Sequence, residues 1–250
     1  MDSQVRVPQG FRLFAFDEID STNTEAKRRA DEGCVNKSVF WATTQSKGRG
    51  RKTRSWISDE GNLFVSVLVK DMAPAEKLAN LSVIAAIAIG ETIADLAPAD
   101  CDIKYKWPND VLINGRKVVG ILLESGIYKE SHWVVLGTGV NVSSNPPDSE
   151  IMYPAANLKR CGIDVEVADL LSHYLDKLDG YLAQWQTQGV AELIKIWRAR
   201  MAGLGQRIHV QLTEDERVSG IFKELSDEGI LILQTDSGQE QEVFSGDVFL

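Results

Sequence analysis

Two rhythms of hydrophobic and polar positions divide the chain. Short apolar and β-branched blocks of strand length occupy 12–17, 39–43, 62–69, 103–107, 110–113, 117–124 and 133–142. Asn114-Gly115, between the fifth and sixth of these, is a strong two-residue hairpin signal. Elsewhere the spacing is three and four. Thr22-Asn23-Thr24-Glu25 has the T-x-x-E pattern of a capping box and predicts a charged helix that Gly33 stops. From Pro74, the recurrence of Leu78, Leu81, Ala85, Ile89, Ile93 and Leu96 predicts a helix with one apolar face packed under a sheet. Val165–Gln186 and Val190–Met201 predict two further helices, parted at Gly189.

At Gly203-Leu204-Gly205 the rhythm changes again. The last residues show no helical spacing but short strands around Ile208, at 218–225, 230–233 and 242–244, separated by Ser226-Asp227-Glu228-Gly229 and Asp236-Ser237-Gly238 turns. The pattern predicts an α+β protein: a mixed-sheet unit over 1–203 and a small β-barrel-like unit over 204–250. A barrel of that size has a thin core and is expected to lean on the larger unit. The length agrees, since 250 residues correspond to roughly 1.7 domains at about 150 residues each. No solenoid repeat or low-complexity tract is present.

Composition excludes more than it identifies. At 44% hydrophobic and 25% charged residues the chain is of ordinary globular make-up, not a fibre or a disordered segment. With 27 basic and 36 acidic residues the net charge is -9, which repels nucleic-acid backbones and anionic membranes, so neither is an expected partner. Cys34, Cys101 and Cys161 are odd in number and form no C-x-x-C pair, as expected of reduced thiols. The longest apolar run, 83–89, is too short to span a bilayer, and the first residues lack a secretory pattern. The expected location is therefore the cytoplasm.

Against this acidic background, Lys47-Gly48-Arg49-Gly50-Arg51-Lys52-Thr53-Arg54 carries five cations in eight residues with no acid. Such a loop is either a solvated surface segment, a nuclear-localisation or RNA patch, or an anion site whose glycines let the backbone approach a ligand. The cations are expected to repel one another until an anionic ligand neutralises them. Ser21-Thr22-Asn23 either caps a helix or offers its hydroxyls, amide and N–H groups to a small polar ligand. In Lys106-Trp107-Pro108-Asn109-Asp110, turn formers interrupt two strands that would otherwise merge. By alternation Lys117 shares a face with Val119, Ile121 and Leu123, either snorkelling at a strand edge or held in a site. Gly137-Thr138-Gly139 is a weak dinucleotide signal, and His132, His173 and His209 are scattered, giving no support to a zinc site or a Ser-His-Asp triad.

Taken in order, Ser21-Thr22-Asn23, Gln45, Gly48-Arg49-Gly50-Arg51, Trp56, Lys106-Trp107-Pro108-Asn109-Asp110, Arg116-Lys117-Val118-Val119-Gly120-Ile121-Leu122 and Gly137-Thr138-Gly139-Val140-Asn141 resemble the biotin protein ligases. The resemblance covers about 16–142, and Gly246-Asp247-Val248 is similar to that family's SH3-like C-terminal domain. It implies an enzyme that joins biotin to ATP as biotinyl-5′-AMP and passes the biotinyl group to one lysine of a biotin carboxyl carrier domain. By the same resemblance Lys117, Arg49 and Arg51 are the catalytic candidates. Ser21, Thr22, Asn23, Gln45, Arg49, Gly50, Arg51, Lys117 and Gly120 would contact biotin, the first four at its ureido end. Arg51, Trp56, Asn109, Asp110 and Asn141 would serve the nucleotide. Mg²⁺ would accompany ATP near Asp110, without a protein cage.

Thr53 departs from the glycine that many family members carry. The resemblance begins near residue 16, so the expected type is a monofunctional ligase without the DNA-binding domain of repressor-type members, either monomer or homodimer. A lipoate or octanoate ligase or transferase is the neighbouring alternative, and a non-catalytic biotin sensor or adaptor the alternative from another class. Retention of Lys117, the loop arginines and Asn109-Asp110 argues against the sensor, which needs no phosphate-binding set.

Overall fold

The computed structural model describes residues 5–52, 54–72, 77–151 and 153–250. Pro74, the expected helix start, and Thr53 lie outside them. The strands of the first unit are β1 (Arg12–Ile19), β2 (Ser38–Gln45), β3 (Leu63–Lys70), β4 (Ile103–Lys106), β5 (Asp110–Ile113), β6 (Arg116–Tyr128) and β7 (Ser131–Val140). They form one seven-stranded sheet in the order β1-β2-β3-β7-β6-β5-β4. Only β1 and β2 run parallel, because helix α1 (Thr22–Asp31) carries the chain back between them; every other neighbour is antiparallel.

Each face of the sheet is covered differently. Ala26 and Ala30 of α1 pack on Phe40, Leu68, Trp133 and Val135. The opposite face carries α2 (Asn80–Leu96), α3 (Val167–Gln188) and α4 (Ala191–Ala199). β3 is accordingly buried at every position but its last, as a doubly covered strand must be. α2 is not the one-faced helix its spacing predicts. It is buried nearly all round, from Val83 to Gly90 without a break, because α3 and α4 enclose the side away from the sheet.

α1 also corrects a detail. Ser21, not Thr22, precedes the helix, and it makes no side-chain cap. Glu25 is drawn instead into ion pairs with Arg28 and Arg29, so the capping box does not form. The Asn114-Gly115 turn does have both residues at positive φ, 51° and 76°, as a type I′ hairpin requires.

After α4 the chain forms a separate antiparallel sheet of β8 (Arg207–Gln211), β9 (Arg217–Leu225), β10 (Leu231–Gln234), β11 (Glu240–Val243) and β12 (Asp247–Phe249), in the order β11-β10-β9-β8-β12. β12, too short to show in the pattern, is the strand that matters for the site. The sheet leans on the first unit as its size demands. Arg198 of α4 donates to Leu225 O at 3.0 Å and pairs with Asp227, and Trp107 Nε1 donates to Gly229 O at 3.0 Å. Among the described residues no helix is long and apolar enough to cross a membrane.

Candidate active site

Beyond the end of α1 the sheet face that carries this helix opens into a cavity of about 200 Å³. Its floor exists because side chains there are small. In register, Ser66 of β3 faces Gly137 of β7, and Gly139 of β7 faces Gly120 of β6. A Cβ on Gly137 would collide with Asn23 Oδ1, and one on Gly120 or Gly139 would lie 2.6 Å from the Trp56 ring. The Gly-x-Gly of β7 is thus a cradle for Asn23 and Trp56 rather than a dinucleotide loop.

One end of the cavity is a polar hydrogen-bonding set. Thr22 N donates to Gln45 Oε1 at 2.8 Å, and Gln45 Nε2 donates to Ser58 Oγ at 2.9 Å. Ser66 Oγ lies 2.8 Å from Thr22 Oγ1 and donates to Asn23 Oδ1 at 2.6 Å. Asn23 Nδ2 in turn donates to Glu124 Oε2 at 3.1 Å. Ser21, Thr22 and Asn23 are all buried, so these groups face the cavity and not bulk water.

At the other end sit two lysines on one carboxylate. β5 and β6 slip by one residue between Val111/Val119 and Leu112/Lys117, leaving Val118 as the extra residue of a bulge. The bulge reverses the expected alternation. Lys117 therefore lies on the face of Gly120, its Nζ 3.2 Å from the position of a Cβ there, and not on that of Val119 and Ile121. Its backbone is held by Lys117 N donating to Pro154 O and Ala156 N donating to Lys117 O, and Asn141 Nδ2 fixes the same segment through Ala156 O at 3.1 Å. Lys117 Nζ is 2.6 Å from Asp110 Oδ1, and Lys106 Nζ is 3.1 Å from Asp110 Oδ2.

Asp110 and Lys106 are both deeply buried. Burial pushes the Asp110 carboxyl upward, but the charges of Lys117 and Lys106 outweigh it and hold its pKa below the ordinary value. Burial pulls the Lys106 ammonium down, opposed by Asp110. Lys106 also lies 3.7 Å from the centroid of the Tyr153 ring, whose hydroxyl pKa burial raises. Asn109 links the two sides by donating to Ile121 O. Both Asp110 oxygens are held by ammonium groups, and among the described residues there is no group of three or more His, Cys, Asp or Glu placed to hold an ion.

The basic loop closes the top. Arg49 Nη1 pairs with Glu124 at 3.1 Å, while Arg51, Lys52 and Arg54 reach Asp247 of β12 at 3.4, 3.3 and 2.9 Å. Burial raises the Asp247 carboxyl, but the Arg54 hydrogen bond and the charges of Arg51, Arg54 and Lys52 prevail and its pKa is lowered. Glu124 is likewise lowered, burial being outweighed by the hydrogen bonds from Lys27 and Asn23 and the charge of Arg49. The expectation that these cations await an anionic ligand is corrected on this point. Two carboxylates of the protein already face them.

All thirteen residues singled out from sequence line this one cavity, with Gly50 on the loop and Trp56 over the glycine cradle. Reading by sequence missed Ser66, Glu124, Arg54, Tyr153, Asp247 and the site role of Lys106. Ser66 carried a signal, as the lone polar residue inside an apolar strand, and so did Lys106, inside a motif already noted. Tyr153 carried none.

Comparison with known proteins accords with this geometry. Residues 15–141 match the biotin/lipoate A/B protein ligase family, and 203–250 match the biotin protein ligase C-terminal domain. The chain is 35% identical over 238 residues to the biotin–[acetyl-CoA-carboxylase] ligase of Paracoccus denitrificans, covering 91% of this chain and 98% of that one. It is 31% identical over 246 residues to the bifunctional ligase/repressor BirA of Bacillus subtilis, covering 96% of this chain and 74% of that protein. The biotin protein ligase of Aquifex aeolicus, solved with biotin and ATP, superposes with a TM-score of 0.79 at 25% identity, covering 95% of this chain and 97% of that one. On the match over 15–141 and these full-length likenesses, the chain belongs to the biotin/lipoate A/B protein ligase family.

Proposed function

We propose that this chain is a biotin protein ligase that activates biotin with ATP and transfers the biotinyl group to a lysine of a carboxylase's carrier domain. One observation carries the reading: a polar pocket of Thr22, Asn23 and Gln45 lies at one end of a cavity whose other end holds the cations Lys117 and Arg51, with Arg49 on the loop beside the polar end. Such a cavity suits a ligand that is polar but uncharged at one end and carboxylate at the other. In the first step a carboxylate oxygen of biotin attacks the α-phosphorus of ATP, and the bond to the pyrophosphate oxygen breaks. A mixed anhydride forms, and no protein nucleophile is needed.

Two anions approaching one another repel, so fixed cations aimed at the developing charge lower the barrier. Lys117 is the residue for that task. Its partial exposure and its anchoring at both backbone hydrogen bonds aim one ammonium at the cavity while Asp110 holds it. Ser21, Thr22, Asn23 and Gln45 take the ureido end, and Gly120 leaves room beside Lys117. Arg49, Gly50 and Arg51 fold over the biotin and phosphate moieties. Trp56, Asn109 and Asn141, with Asp110 acting through its lysines, border the nucleotide. In the second step the carrier's neutral amine attacks the acyl carbon, AMP departs with the bonding electrons, and the amine loses its proton. Mg²⁺ would come with the triphosphate and offset part of its negative charge near Asp110.

Residues 1–203 form the catalytic unit in this reading, and 204–250 a second unit that borders the nucleotide end through Asp247. The location follows as cytoplasmic, where ATP and carboxylases meet. Incubation with α-labelled ATP and, separately, biotin, lipoate or octanoate tests the proposal. Labelled acyl-adenylate and pyrophosphate with biotin alone are expected. Adenylate formed with lipoate or octanoate instead would select the neighbouring activity, and none with any acid would leave a binding protein.

A further inference from the structure

The basic loop is held from the other sheet. β12 enters the cavity with one acidic side chain, Asp247, which receives Arg54 Nη2 at 2.9 Å and stands 3.4 Å from Arg51 Nη1. Arg51 Nη1 donates also to the preceding carbonyl, Gly246 O, at 3.1 Å, and Arg54 Nε donates to Arg51 O at 3.0 Å. Lys52 is turned the same way, with Nζ 3.4 Å from both Gln211 O at the end of the adjoining β8 and Leu212 O just beyond it. Residue 246 has to be glycine here. A Cβ would collide with Val210, so the β8–β12 contact that presents Asp247 admits no side chain before it.

We propose that Asp247 is a positioning residue of the ATP site, supplied by the C-terminal unit, which preforms the phosphate-binding half of the loop by holding the Arg51 and Arg54 guanidinium groups. The inference rests on the ligase reading above. Charge arithmetic separates holding from blocking. Two guanidinium groups against one carboxylate leave a positive charge for the phosphates, so the anchor does not cancel the site. Arg51 uses one nitrogen on its anchors and has no partner among the described residues for Nε and Nη2, which leaves a donor pair for an incoming oxygen. Arg49 is outside this arrangement, being held by Glu124, next to the polar pocket. Asp247 therefore acts on the nucleotide and not on the acid substrate, a division that a general loss of structure would not produce.

The test uses the full chain in biotin-dependent ATP–pyrophosphate exchange. Asp247→Asn should raise the KM for ATP about tenfold while the KM for biotin stays within about twofold, because a loop that must be ordered on binding weakens the ligand it holds. Asp247→Glu should recover most of the loss. In the ligand-free protein, amide hydrogen exchange over 49–54 should quicken in Asp247→Asn. An ATP KM unchanged or lowered in that variant would overturn the proposal, the second outcome marking Asp247 as a competitor of phosphate. Equal rises in both KM values would overturn it too. If Asp247→Asn does not fold, Arg54→Gln removes the shorter contact from the other side and should give the same split between the two substrates. A wild-type chain without biotin-dependent exchange would sink the ligase reading, whereas the hydrogen-exchange comparison would still decide whether Asp247 holds the loop.

Discussion

Replacing Asp110 by asparagine probes the charge arrangement at the heart of the cavity. The substitution keeps the volume and removes the one anion between two ammonium groups, which lie 3.1 Å and 2.6 Å from it. Lys106, at 6% exposure, cannot turn to water, whereas the Lys117 side chain retains 23% of its surface and can. Stripping a buried ion of its partner costs about 3–5 kcal/mol, and the freedom of Lys117 puts this case at about 3–4 kcal/mol. At about 2–4 °C per kcal/mol for a chain of this size, the apparent Tm should fall by roughly 6–16 °C. The pH dependence has a definite sign. The Asp110 pKa is lowered in the folded protein, below an unfolded value of about 3.9. Its contribution is therefore complete above that value and is lost as pH falls through the folded value. Calorimetric scans from about pH 7 to about pH 4 should show the gap between wild type and variant widest at neutrality and narrowing only near the acid limit. Adding Lys106→Met to the variant should recover stability, since no buried charge is then left alone. A fall of less than about 2 °C at neutral pH, or a double variant worse than the single, would refute the assignment.

Lys117→Ala should leave the fold intact, Lys106 still facing Asp110, yet slow adenylate formation by about 10²–10³, as loss of one transition-state donor does; near-normal pyrophosphate release would contradict it. Gly139→Ala places a methyl group 2.6 Å from the Trp56 ring, and should cost about 1–3 kcal/mol of stability through overpacking, together with nucleotide affinity measured by calorimetry. Unchanged binding would show that the cradle is not needed. Arg51→Gly should release the acyl-adenylate faster and label bystander proteins, and unchanged selectivity in a mixed-protein labelling assay would count against a retaining role.

Much of this was legible in the linear chain, because the elements are short-range statements. Strand blocks, the Asn114-Gly115 turn and the change of rhythm at Gly203-Leu204-Gly205 report local preferences that tertiary packing leaves alone. What was not legible depends on register. The face on which Lys117 sits follows from a one-residue slip between β5 and β6, and periodicity of two has no means of announcing a bulge. α2 repeats Leu81, Ala85, Ile89 and Ile93 on one face, but Val83, Ile84 and Ile87 between them are equally buried once α3 and α4 arrive. Asp247 lies some two hundred residues from the loop it holds, at a strand too short to leave a pattern.

The counter-charges also change what loop closure requires. A loop of bare cations would stay apart until a ligand arrived, and its closure would report anion binding alone. Here Glu124 draws in Arg49 from the sheet beside the polar pocket, and Asp247 draws in Arg51 and Arg54 from the other unit. The two halves of the loop are thus fastened at opposite ends of the cavity, one next to the groups proposed for the acid substrate and one next to those proposed for the nucleotide. In the proposed function a reactive mixed anhydride would lie across both halves, so its two ends would be retained only while both fastenings hold. Loss of either frees one end of the intermediate to water, which hydrolyses it, or to a passing amine. On that reading, selectivity for the carrier lysine would depend on Glu124 and Asp247 as much as on the arginines they hold, although neither carboxylate needs to touch the reacting atoms.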